Sequence, residues 1–330
     1  MAKTIKDTDY LVISARVKAL ETGLLTAERM EQILDAKSGE DAGKLLQEWG
    51  YPQLDPRRPE AMDAVREATL ADLAEGTPDA RYIDLFKVKY DYHNVKALLK
   101  AEAVGTAPDR MLMDMGRVST AELAEAVRSR ELDGLPETLA AAVVEAREVL
   151  DTTRDPQLSD IVLDRWCYRD MAALAEETGS AFLRGYVAVQ VDAVNLRTAV
   201  RTLRMGKGAD FLLGALLEGG DLAPDAVAKA ASSGAAGLRE LYGATRFRDA
   251  AEAGAEALKG GPLTAFEKLC DDAVGDYLAG AQSVPFGEAP LVSYLAARET
   301  EYTNLRILLM GRAAGIDPAV IRTRLRASYV

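Results

Sequence analysis

The chain has 330 residues, with 52 acidic against 40 basic side chains and a net charge of −12 at neutral pH. That balance argues against general nucleic-acid binding, which needs clustered basic residues, and against attachment to anionic lipid by net charge alone. No apolar run is long enough to span a bilayer, and the first ten residues lack the apolar stretch of a signal peptide. We therefore expect a cytoplasmic protein with one large core or two to three domains.

The composition favours helix over sheet. Alanine and leucine are abundant, aromatic residues make up only 6% of the chain, and no stretch alternates apolar and polar side chains over a convincing strand length. Cys167 and Cys270 are too few for a disulfide framework, and both lie in amphipathic patterns. We expect an all-α protein in which both cysteines are buried, reduced thiols.

The first third of the chain predicts short helices followed by a long one. Apolar spacing indicates a helix over residues 9–20, and Thr26 is a candidate N-cap for the next helix, with an acid in its first turn. Three prolines place a loop at 51–59, before a helix over 61–74. A long helix then covers 82–104.

The remaining two thirds continue the pattern, with turns at glycine and proline. A turn at 132–136 precedes an alanine-rich helix over 139–150 and a further helix over 161–177. The stretch 180–205 carries one apolar stripe with spacings of three and four, which predicts a helix of domain length. A proline-containing stretch, 283–290, leads into a third long helix.

One short phrase occurs in all three long helices: an acid, two further residues, an asparagine, an aliphatic residue and a base. A glycine follows each asparagine eleven residues later, at Gly105, Gly206 and Gly315, and is a plausible helix stop. The acid, asparagine and base of the three copies are Asp91, Asn94 and Lys96; Asp192, Asn195 and Arg197; and Glu301, Asn304 and Arg306. Three matches with a common glycine offset predict an internal triplication.

A second feature recurs once in each copy. Helix starts that closely follow an aliphatic residue are predicted at Thr26, Thr120 and Ala223. A repeat of several helices would begin near such a start and end in a long asparagine helix. The three predicted repeats are residues 1–115, 116–218 and 219–330. We predict that they pack as one pseudo-threefold unit, because no linker is long enough to free one repeat from the next.

The sequence carries no residue set that suits catalysis. His93 is the only histidine, and the other copies of the phrase have Val194 and Thr303 in its place, so a catalytic role would be unique to one copy. The Gly-Lys-Gly at 206–208 lacks the earlier glycine and the following hydroxyl of a phosphate loop. We predict no catalytic residue, no metal site, no cofactor and no direct nucleotide binding.

Two other kinds of function stay open. An all-α enzyme could hold Mg²⁺ with Asp271, Asp272 and Asp276, although a solvated acidic face explains these residues better because the aromatic lining of a carbocation pocket is missing. Metal-dependent turnover would reveal such an enzyme. A helical-repeat scaffold for a different partner is the second alternative, and the proteins that co-purify with the chain would distinguish it.

The polar groups of the repeated phrase allow two interpretations. In the first, which we favour for any single residue, they tie neighbouring helices together by hydrogen bonds or cap a helix end. In the second, they line a shared surface where the three copies converge. Arg322, Arg324 and Arg326 form a basic cluster near the C-terminus, where a helix dipole favours cations and where a partner contact is secondary.

In their order and spacing these elements resemble the C subunit of prokaryotic V-type (V/A) ATPases, whose eukaryotic equivalent is the V-ATPase d subunit. The first copy of the phrase reads Asp-Tyr-His-Asn-Val-Lys. The resemblance covers the whole chain and rests on residues 9–20, 24–26, 91–100, 183–186 running to 195–198, 304–308 and 321–330. No single stretch is specific, whereas their order, spacing and triplication together are.

The resemblance implies a multihelical, pseudo-threefold funnel without a catalytic role. In that family the protein lies on the cytoplasmic face of the membrane, on the ring of proteolipid subunits, and receives the foot of the central shaft, which the D and F subunits form. It passes torque between shaft and ring during rotary transport of protons or sodium ions. We therefore expect a peripheral rotor protein whose partners are D, F and the ring, with no nucleic acid.

We further hypothesise that the three acids and three asparagines of the phrase face the central cavity and help to seat the shaft. The three bases of the phrase and the three C-terminal arginines complete the expected partner interface. Several spread polar contacts would keep the shaft in register against torque, where a smooth apolar socket would slip.

Overall fold

The computed structural model describes residues 5–55, 60–108 and 111–330. Within these ranges every regular element is helical: one short 3₁₀ helix and sixteen α-helices, with no strand. The predicted all-α class is therefore confirmed. Of the predicted loop at 51–59, residues 51–55 are non-helical and residues 56–59 lie outside the described part.

The helices follow one another with short connections. The first are the 3₁₀ helix Asp7–Tyr10, α1 Leu11–Glu21, α2 Ala27–Asp35, α3 Gly39–Glu48, α4 Glu60–Ala74 and α5 Arg81–Val104. The middle of the chain contains α6 Thr120–Ser129, α7 Glu137–Thr153, α8 Pro156–Thr178, α9 Ala181–Arg204 and α10 Ala209–Ala215. The last are α11 Pro224–Ser232, α12 Gly234–Tyr242, α13 Arg248–Leu258, α14 Leu263–Ala279, α15 Glu288–Ala313 and α16 Pro318–Arg322. The three long asparagine helices are α5, α9 and α15.

Side-chain caps set the start of α2 and α6. Thr26 accepts a hydrogen bond from the backbone N–H of Arg29 and caps α2, as predicted. The N-cap of α6 is Ser119, which forms a reciprocal capping box with Glu122. The helix begins at Thr120, the predicted start.

Proline sets the start of three later helices. α8 begins at Pro156, earlier than the predicted residue 161, because Asp155 caps it and proline suits a first turn. α11 begins at Pro224, directly after the predicted start. α15 begins at Glu288, inside the stretch expected to precede it, with Pro290 in its first turn, where a missing N–H removes no helical bond.

The three long helices end in the same backbone motif. Gly105, Gly206 and Gly315 have φ angles of 69°, 67° and 67°, in the left-handed region that glycine enters without strain. The next N–H of the chain then bonds back to a carbonyl of the last helical turns: Thr106 to Ala101 at 3.0 Å, Lys207 to Thr202 at 3.1 Å and Ile316 to Gly311 at 2.9 Å. The glycines predicted as helix stops thus end all three helices.

The chain divides into two compact units. One unit contains residues 79–229, and in it α8 packs against α5, α7 and α9. The other contains residues 1–78 and 230–330, so both chain ends belong to it, and in it α15 packs against α1, α2, α3, α14 and α16. The division into three repeats stays a prediction.

In the unit that contains both chain ends, one apolar core packs α2, α3 and α16 against α15. Its fully or nearly fully buried members include Ile33 and Leu34 of α2, Leu46 of α3, Tyr302, Leu305, Leu308 and Leu309 of α15, and Ile321 of α16. Apolar burial of this kind stabilises a core by about 1.5–3 kcal/mol for each large side chain. The N-terminal and C-terminal helices are therefore fixed to the same long helix.

The interior also holds both cysteines. Cys167 and Cys270 are buried and form no disulfide, as predicted, and burial raises the pKa of the Cys167 thiol to about 12. A thiol with so high a pKa is a poor nucleophile at neutral pH. Among the helices of the described residues, none combines the length and the apolar character needed to cross a bilayer.

Candidate functional site: contacts of the repeated phrase

Each asparagine of the repeated phrase is paired in both directions with one backbone position further along the chain. Its side-chain NH₂ donates to a carbonyl, and its side-chain oxygen accepts from the N–H of the same residue. The pairs are Asn94 with Met113 (2.8 and 2.8 Å), Asn195 with Leu217 (2.8 and 2.8 Å) and Asn304 with Arg326 (3.1 and 2.9 Å). Met113, Leu217 and Arg326 lie outside regular secondary structure, so the asparagine side chain supplies the hydrogen-bond partners that a helix or a sheet would otherwise give to their N–H and C=O groups.

Each acid of the phrase accepts a hydrogen bond from the backbone just before a shorter helix. Asp91 accepts from the N–H of Val118 at 3.2 Å, Asp192 from Leu222 at 3.2 Å and Glu301 from Leu25 at 2.8 Å. Val118, Leu222 and Leu25 are the aliphatic residues that precede α6, α11 and α2, whose starts recur in the sequence. We call the three sets of contacts tether 1 (Asp91, Asn94), tether 2 (Asp192, Asn195) and tether 3 (Glu301, Asn304).

The tethers follow one another in a cycle. The acid of α5 holds the chain before α6, at the start of the second predicted repeat, and the acid of α9 holds the chain before α11, at the start of the third. The acid of α15 holds the chain before α2, at the start of the first. In tether 3 the asparagine binds the C-terminal segment and the acid binds the N-terminal segment, whereas one continuous segment serves tethers 1 and 2.

The six acids and asparagines of the tethers are buried. Their exposed fractions lie between 0% and 4%, and each has hydrogen-bond partners in the chain's own backbone. This placement favours the structural interpretation of these six residues over the interpretation in which they line a surface. Their role at a partner interface stays a prediction.

Tether 1 contains a buried ion-pair network that was not predicted from the sequence. Arg117 donates to Asp91 at 2.8 Å and to both oxygens of Asp170 on α8 at 3.0 and 2.6 Å, and the hydroxyl of Tyr92 donates to Asp170 at 3.1 Å. Burial raises the pKa of Asp91, against the opposing effect of Arg117. Although burial works against its charge, the pKa of Arg117 lies above its ordinary value because Asp170 and Asp91 both bond to it.

Tether 3 has a different cation. Arg298, one turn before Glu301 on α15, forms an ion pair with it and donates to the hydroxyl of Tyr302 at 3.0 Å. The Arg298 guanidinium also lies 4.9 Å from the centre of the Tyr302 ring. Burial raises the pKa of Glu301, and the positive charge of Arg298 opposes that rise. The i,i+3 spacing of this pair is visible in the sequence.

Tether 2 lacks such a cation. Among the described residues no lysine or arginine is paired with Asp192, whose hydrogen bonds come from the N–H groups of Asp221 at 3.1 Å and Leu222 at 3.2 Å. Burial raises the pKa of Asp192 to about 6; the two N–H groups lower it, and the negative charge of Asp221 raises it further. Tether 2 therefore holds a buried carboxyl whose pKa is about 6, well above that of an ordinary aspartate.

Glycine lets the backbone approach the two aspartates. A Cβ at Gly116 would overlap Oδ1 of Asp91, and a Cβ at Gly220 would overlap Oδ1 of Asp192. The corresponding residue before Leu25 is Gly23, where a Cβ would lie 3.3 Å from a backbone oxygen and would meet no carboxylate. Each glycine stands two residues before the tethered aliphatic residue, a signal that the sequence contains and from which no prediction was made.

The bases of the phrase do not share one environment. Lys96 is half-buried and paired with Asp164 of α8 at 2.5 Å. Arg197 is half-buried, whereas Arg306 is exposed. The structure therefore does not bring these three predicted interface residues into equivalent positions.

The C-terminal arginines differ in the same way. Arg322 pairs with Glu31 of α2 at 2.6 Å, and Arg326 pairs with Asp271 of α14 at 2.8 Å. Arg324 is exposed. Two of the three arginines thus attach the C-terminal segment to neighbouring helices.

The acidic group of α14 also binds the C-terminal segment. Asp272 accepts a hydrogen bond from the N–H of Ala327 at 2.8 Å and pairs with Lys268, while Asp276 is exposed. No cluster of three or more metal-binding side chains occurs among the described residues. His93 is exposed, with its Nε2 2.9 Å from the carbonyl oxygen of Met111. These contacts give Asp271 and Asp272 a structural role in holding the C-terminal segment.

Comparison with known proteins identifies the family. The sequence family described as ATP synthase (C/AC39) subunit matches residues 13–324. The chain is 24% identical to the C subunit of the V-type sodium ATPase of Enterococcus hirae, over 97% of this chain and 99% of the relative. It is 27% identical to the C subunit of the V-type ATP synthase of Thermus thermophilus, over 95% and 97%, and 24% identical to the C subunit of the A-type ATP synthase of Methanocaldococcus jannaschii, over 96% and 86%. The resemblance seen in the sequence is confirmed: the chain belongs to the ATP synthase (C/AC39) subunit family, which is a structural and not a catalytic part of the rotary ATPase.

Proposed function

We propose that the chain is a central-stalk rotor subunit of a V/A-type ATPase or ATP synthase, the socket that couples the central shaft to the membrane ring of proteolipid subunits. The observation that carries the proposal is the length of the match, since 95–97% of the chain aligns with relatives named as the C subunits of V-type and A-type enzymes. The partners are then the D and F subunits of the shaft and the proteolipid ring. The chain lies at the cytoplasmic face of the membrane, held by the complex, while rotation transports protons or sodium ions.

The tethers suit a part that passes torque. A coupling element has to transmit force without yielding, so the ends of its long helices and the loops between them need fixed positions. In each tether the asparagine side chain makes two hydrogen bonds, and the acid accepts at least one, from backbone outside the long helix. Hydrogen bonds between buried groups of this kind fix the segments that they join.

We also propose that the three predicted repeats, 1–115, 116–218 and 219–330, pack around a common pseudo-threefold axis. The cyclic order of the tethers supports this arrangement, because each long helix holds the start of the next repeat and the third holds the start of the first. The test is an experimental structure in which α5, α9 and α15 are superposed with their tethered segments. Unrelated packing around the three helices would contradict the proposal.

The function is tested by leaving the chain out. The complex is assembled with and without this protein, and ATP hydrolysis and ion uptake into vesicles are measured in parallel for protons and for sodium ions. We expect hydrolysis by the catalytic head to persist while ion uptake is lost, and uptake to return when the purified chain is added back. Full ion uptake in the complex without the chain would contradict the proposal.

A further inference from the structure

The three tethers carry different residues at one position, directly before the tethered aliphatic residue. It is Arg117 in tether 1, Asp221 in tether 2 and Leu24 in tether 3. The backbone N–H of Arg117 donates to Asp91 at 2.9 Å, and that of Asp221 donates to Asp192 at 3.1 Å, so the two residues occupy equivalent places. Tether 2 therefore has an acid where tether 1 has the arginine that pairs with its aspartate.

The cation of tether 3 has no counterpart in tether 2 either. Arg298 stands three residues before Glu301 on α15, whereas the residue three before Asp192 on α9 is Val189, which is buried. Gly220 brings the backbone so close to the Asp192 carboxylate that a Cβ there would overlap it. The carboxylate of tether 2 is thus packed against backbone, in a residue that is only 3% exposed, and both cation positions of the other tethers lack a cation.

The neighbouring helices do not supply the missing cation. α8 packs against α9 and has two cations. Arg165 pairs with Glu145 at 3.0 Å, and this pair lies between α7 and α8. Arg169 pairs with Glu218 of the tethered segment at 3.5 Å. α10 contains no cation, and the one cation of α11, Lys229, lies in its last turn.

The charges of α9 and of the segment after α10 complete the surroundings of Asp192. α9 has four cations, none of them in an ion pair with Asp192 in the part of the chain that the structure describes: Arg184, Arg197, Arg201 and Arg204. The segment adds two acids, Glu218 and Asp221, and α10 adds the exposed Asp210. Burial raises the pKa of Asp192, and the charge of Asp221 adds to that rise, against the two backbone N–H groups.

We propose that tether 2 is a proton-operated latch, which holds residues 220–222 against α9 while Asp192 is protonated and opens by itself when Asp192 ionises. In the open tether the carboxylate is in water, whereas in the closed tether its charge is buried near a second acid. Ionisation therefore shifts the equilibrium towards the open tether. Tethers 1 and 3 stay closed, because Arg117 and Arg298 pair with their acids. The latch is a property of the chain alone and is independent of the proposed function.

The experiment is native-state hydrogen exchange of the full chain at about pH 5 and about pH 7.5, with each rate divided by the intrinsic rate of that amide at the same pH. The amides that report on tether 2 are those of Asp221 and Leu222, and those of Arg117, Val118 and Leu25 report on the other two tethers. Each measurement is repeated in low concentrations of urea, because exchange through a local opening is insensitive to urea whereas exchange through unfolding of the whole chain is not.

The latch predicts a distinct behaviour for tether 2. At the higher pH, Asp221 and Leu222 should exchange faster than the other three amides, at a rate insensitive to urea. Their protection should be about tenfold greater at the lower pH, because the pKa of Asp192 is about 6 in the closed tether against an ordinary value of 3.8 in the open one.

Three variants test which residues operate the latch. D192N removes the titrating group and should make the protection of Leu222 independent of pH. D221R places a cation where tether 1 has Arg117 and should reduce the pH effect to less than about threefold, because a cation beside the carboxylate lowers its pKa. D210R makes the same charge change on α10 and should keep the full effect. Asp210 and Asp221 are both exposed, so neither replacement alters the core.

Three results would overturn the latch. Exchange at Asp221 and Leu222 that follows unfolding of the whole chain at both pH values would show that tether 2 does not open by itself. Protection that is equal at both pH values, or greater at the higher one, would show that the proton on Asp192 does not hold the tether closed. A D221R chain that keeps the tenfold effect, as D210R should, would show that the charge at position 221 does not set the latch.

Discussion

The side-chain amide of Asn195 holds the backbone of Leu217 by two hydrogen bonds, one donated and one accepted, each 2.8 Å long. Both residues are buried, so neither backbone group of Leu217 has water as an alternative partner. Met113 and Arg326 are held in the same way by Asn94 and Asn304. A single residue type thus fixes the chain after each long helix, and this can be tested directly.

The substitution N195A removes both hydrogen bonds and leaves the N–H and C=O of Leu217 buried without partners. Each of these two unsatisfied buried groups costs about 1–3 kcal/mol, so we expect a loss of about 2–6 kcal/mol of stability. Denaturant unfolding measures it. The control is Q190A on the same helix. It removes one half-buried hydrogen bond, from the Gln190 side-chain amide to the Tyr186 hydroxyl, and should lower the stability by about 1 kcal/mol or less. Equal effects of the two substitutions would contradict the structural role of Asn195.

The glycines of tethers 1 and 2 should not tolerate alanine. G116A and G220A each place a methyl group against the oxygen of a buried aspartate, and we expect them to lose about 1–3 kcal/mol or more. G23A, at the corresponding position of tether 3, should cost less because no carboxylate lies near it. G134A has no atom within 4 Å and serves as the matched control. Melting temperatures of the four variants test the order, and a G116A protein as stable as G134A would contradict it.

Asp192 should give the chain a pH-dependent stability. Its pKa in the folded chain is about 6 against an ordinary value of 3.8, so the folded state binds the proton more tightly than the unfolded state does. The stability from this group is complete below pH 3.8 and is lost as the pH rises through about 6, a change of about 3 kcal/mol in all.

The measurement is the unfolding free energy of the unaltered chain minus that of D192N between about pH 4 and pH 7, the range in which this carboxyl titrates. The difference should fall with rising pH over this range, because asparagine does not titrate. The same pH series on D91N compares this carboxyl with one that has a cation beside it: Asp91 pairs with Arg117, whereas Asp192 has no cationic partner among the described residues. A difference that is flat with pH, or that grows as the pH rises, would show that Asp192 is not buried as a high-pKa carboxyl.

The network of tether 1 should depend on its arginine. R117M leaves Asp91 and Asp170 buried without a cation, and breaking a buried ion pair from one side costs about 3–5 kcal/mol. R128M breaks an exposed pair with Glu125 and should cost about 0–1 kcal/mol. Calorimetry of the two variants compares them directly. If R117M and R128M have the same melting temperature, other groups must stabilise the charges of the two aspartates, and the Arg117 network does not hold the fold together.

The long helices could be predicted from the sequence because the residues that determine them, the apolar stripe and the terminal glycine, lie within or directly after each helix. Apolar spacing located α5 and α9 to within a residue or two, and the glycines at 105, 206 and 315 gave the helix ends, since the left-handed residue that closes such an end is nearly always glycine. Proline positions were less informative, because a proline in a first helical turn and a proline in a loop look alike. That ambiguity placed the starts of α8 and α15 too late.

The tethers could be predicted only in part. The phrase itself recurs and was recognised, but its partners are backbone groups of Met113, Leu217 and Arg326, and a backbone N–H or C=O leaves no mark on the identity of the residue that carries it. Asp170 was missed for a different reason: it comes from α8, and only packing brings it to Arg117. The glycines at 116 and 220 were visible, at a fixed distance before each tethered residue.

The central claim, that this chain joins the shaft to the ring, is tested most directly by mixing the three purified components. The chain, the shaft pair D and F, and the detergent-solubilised proteolipid ring are combined in all pairings, and the masses of the resulting particles are measured. We expect the shaft pair and the ring to form one particle only when the chain is present, with the chain in it. A shaft–ring particle that forms equally well without the chain, or a chain that joins neither component, would contradict the account.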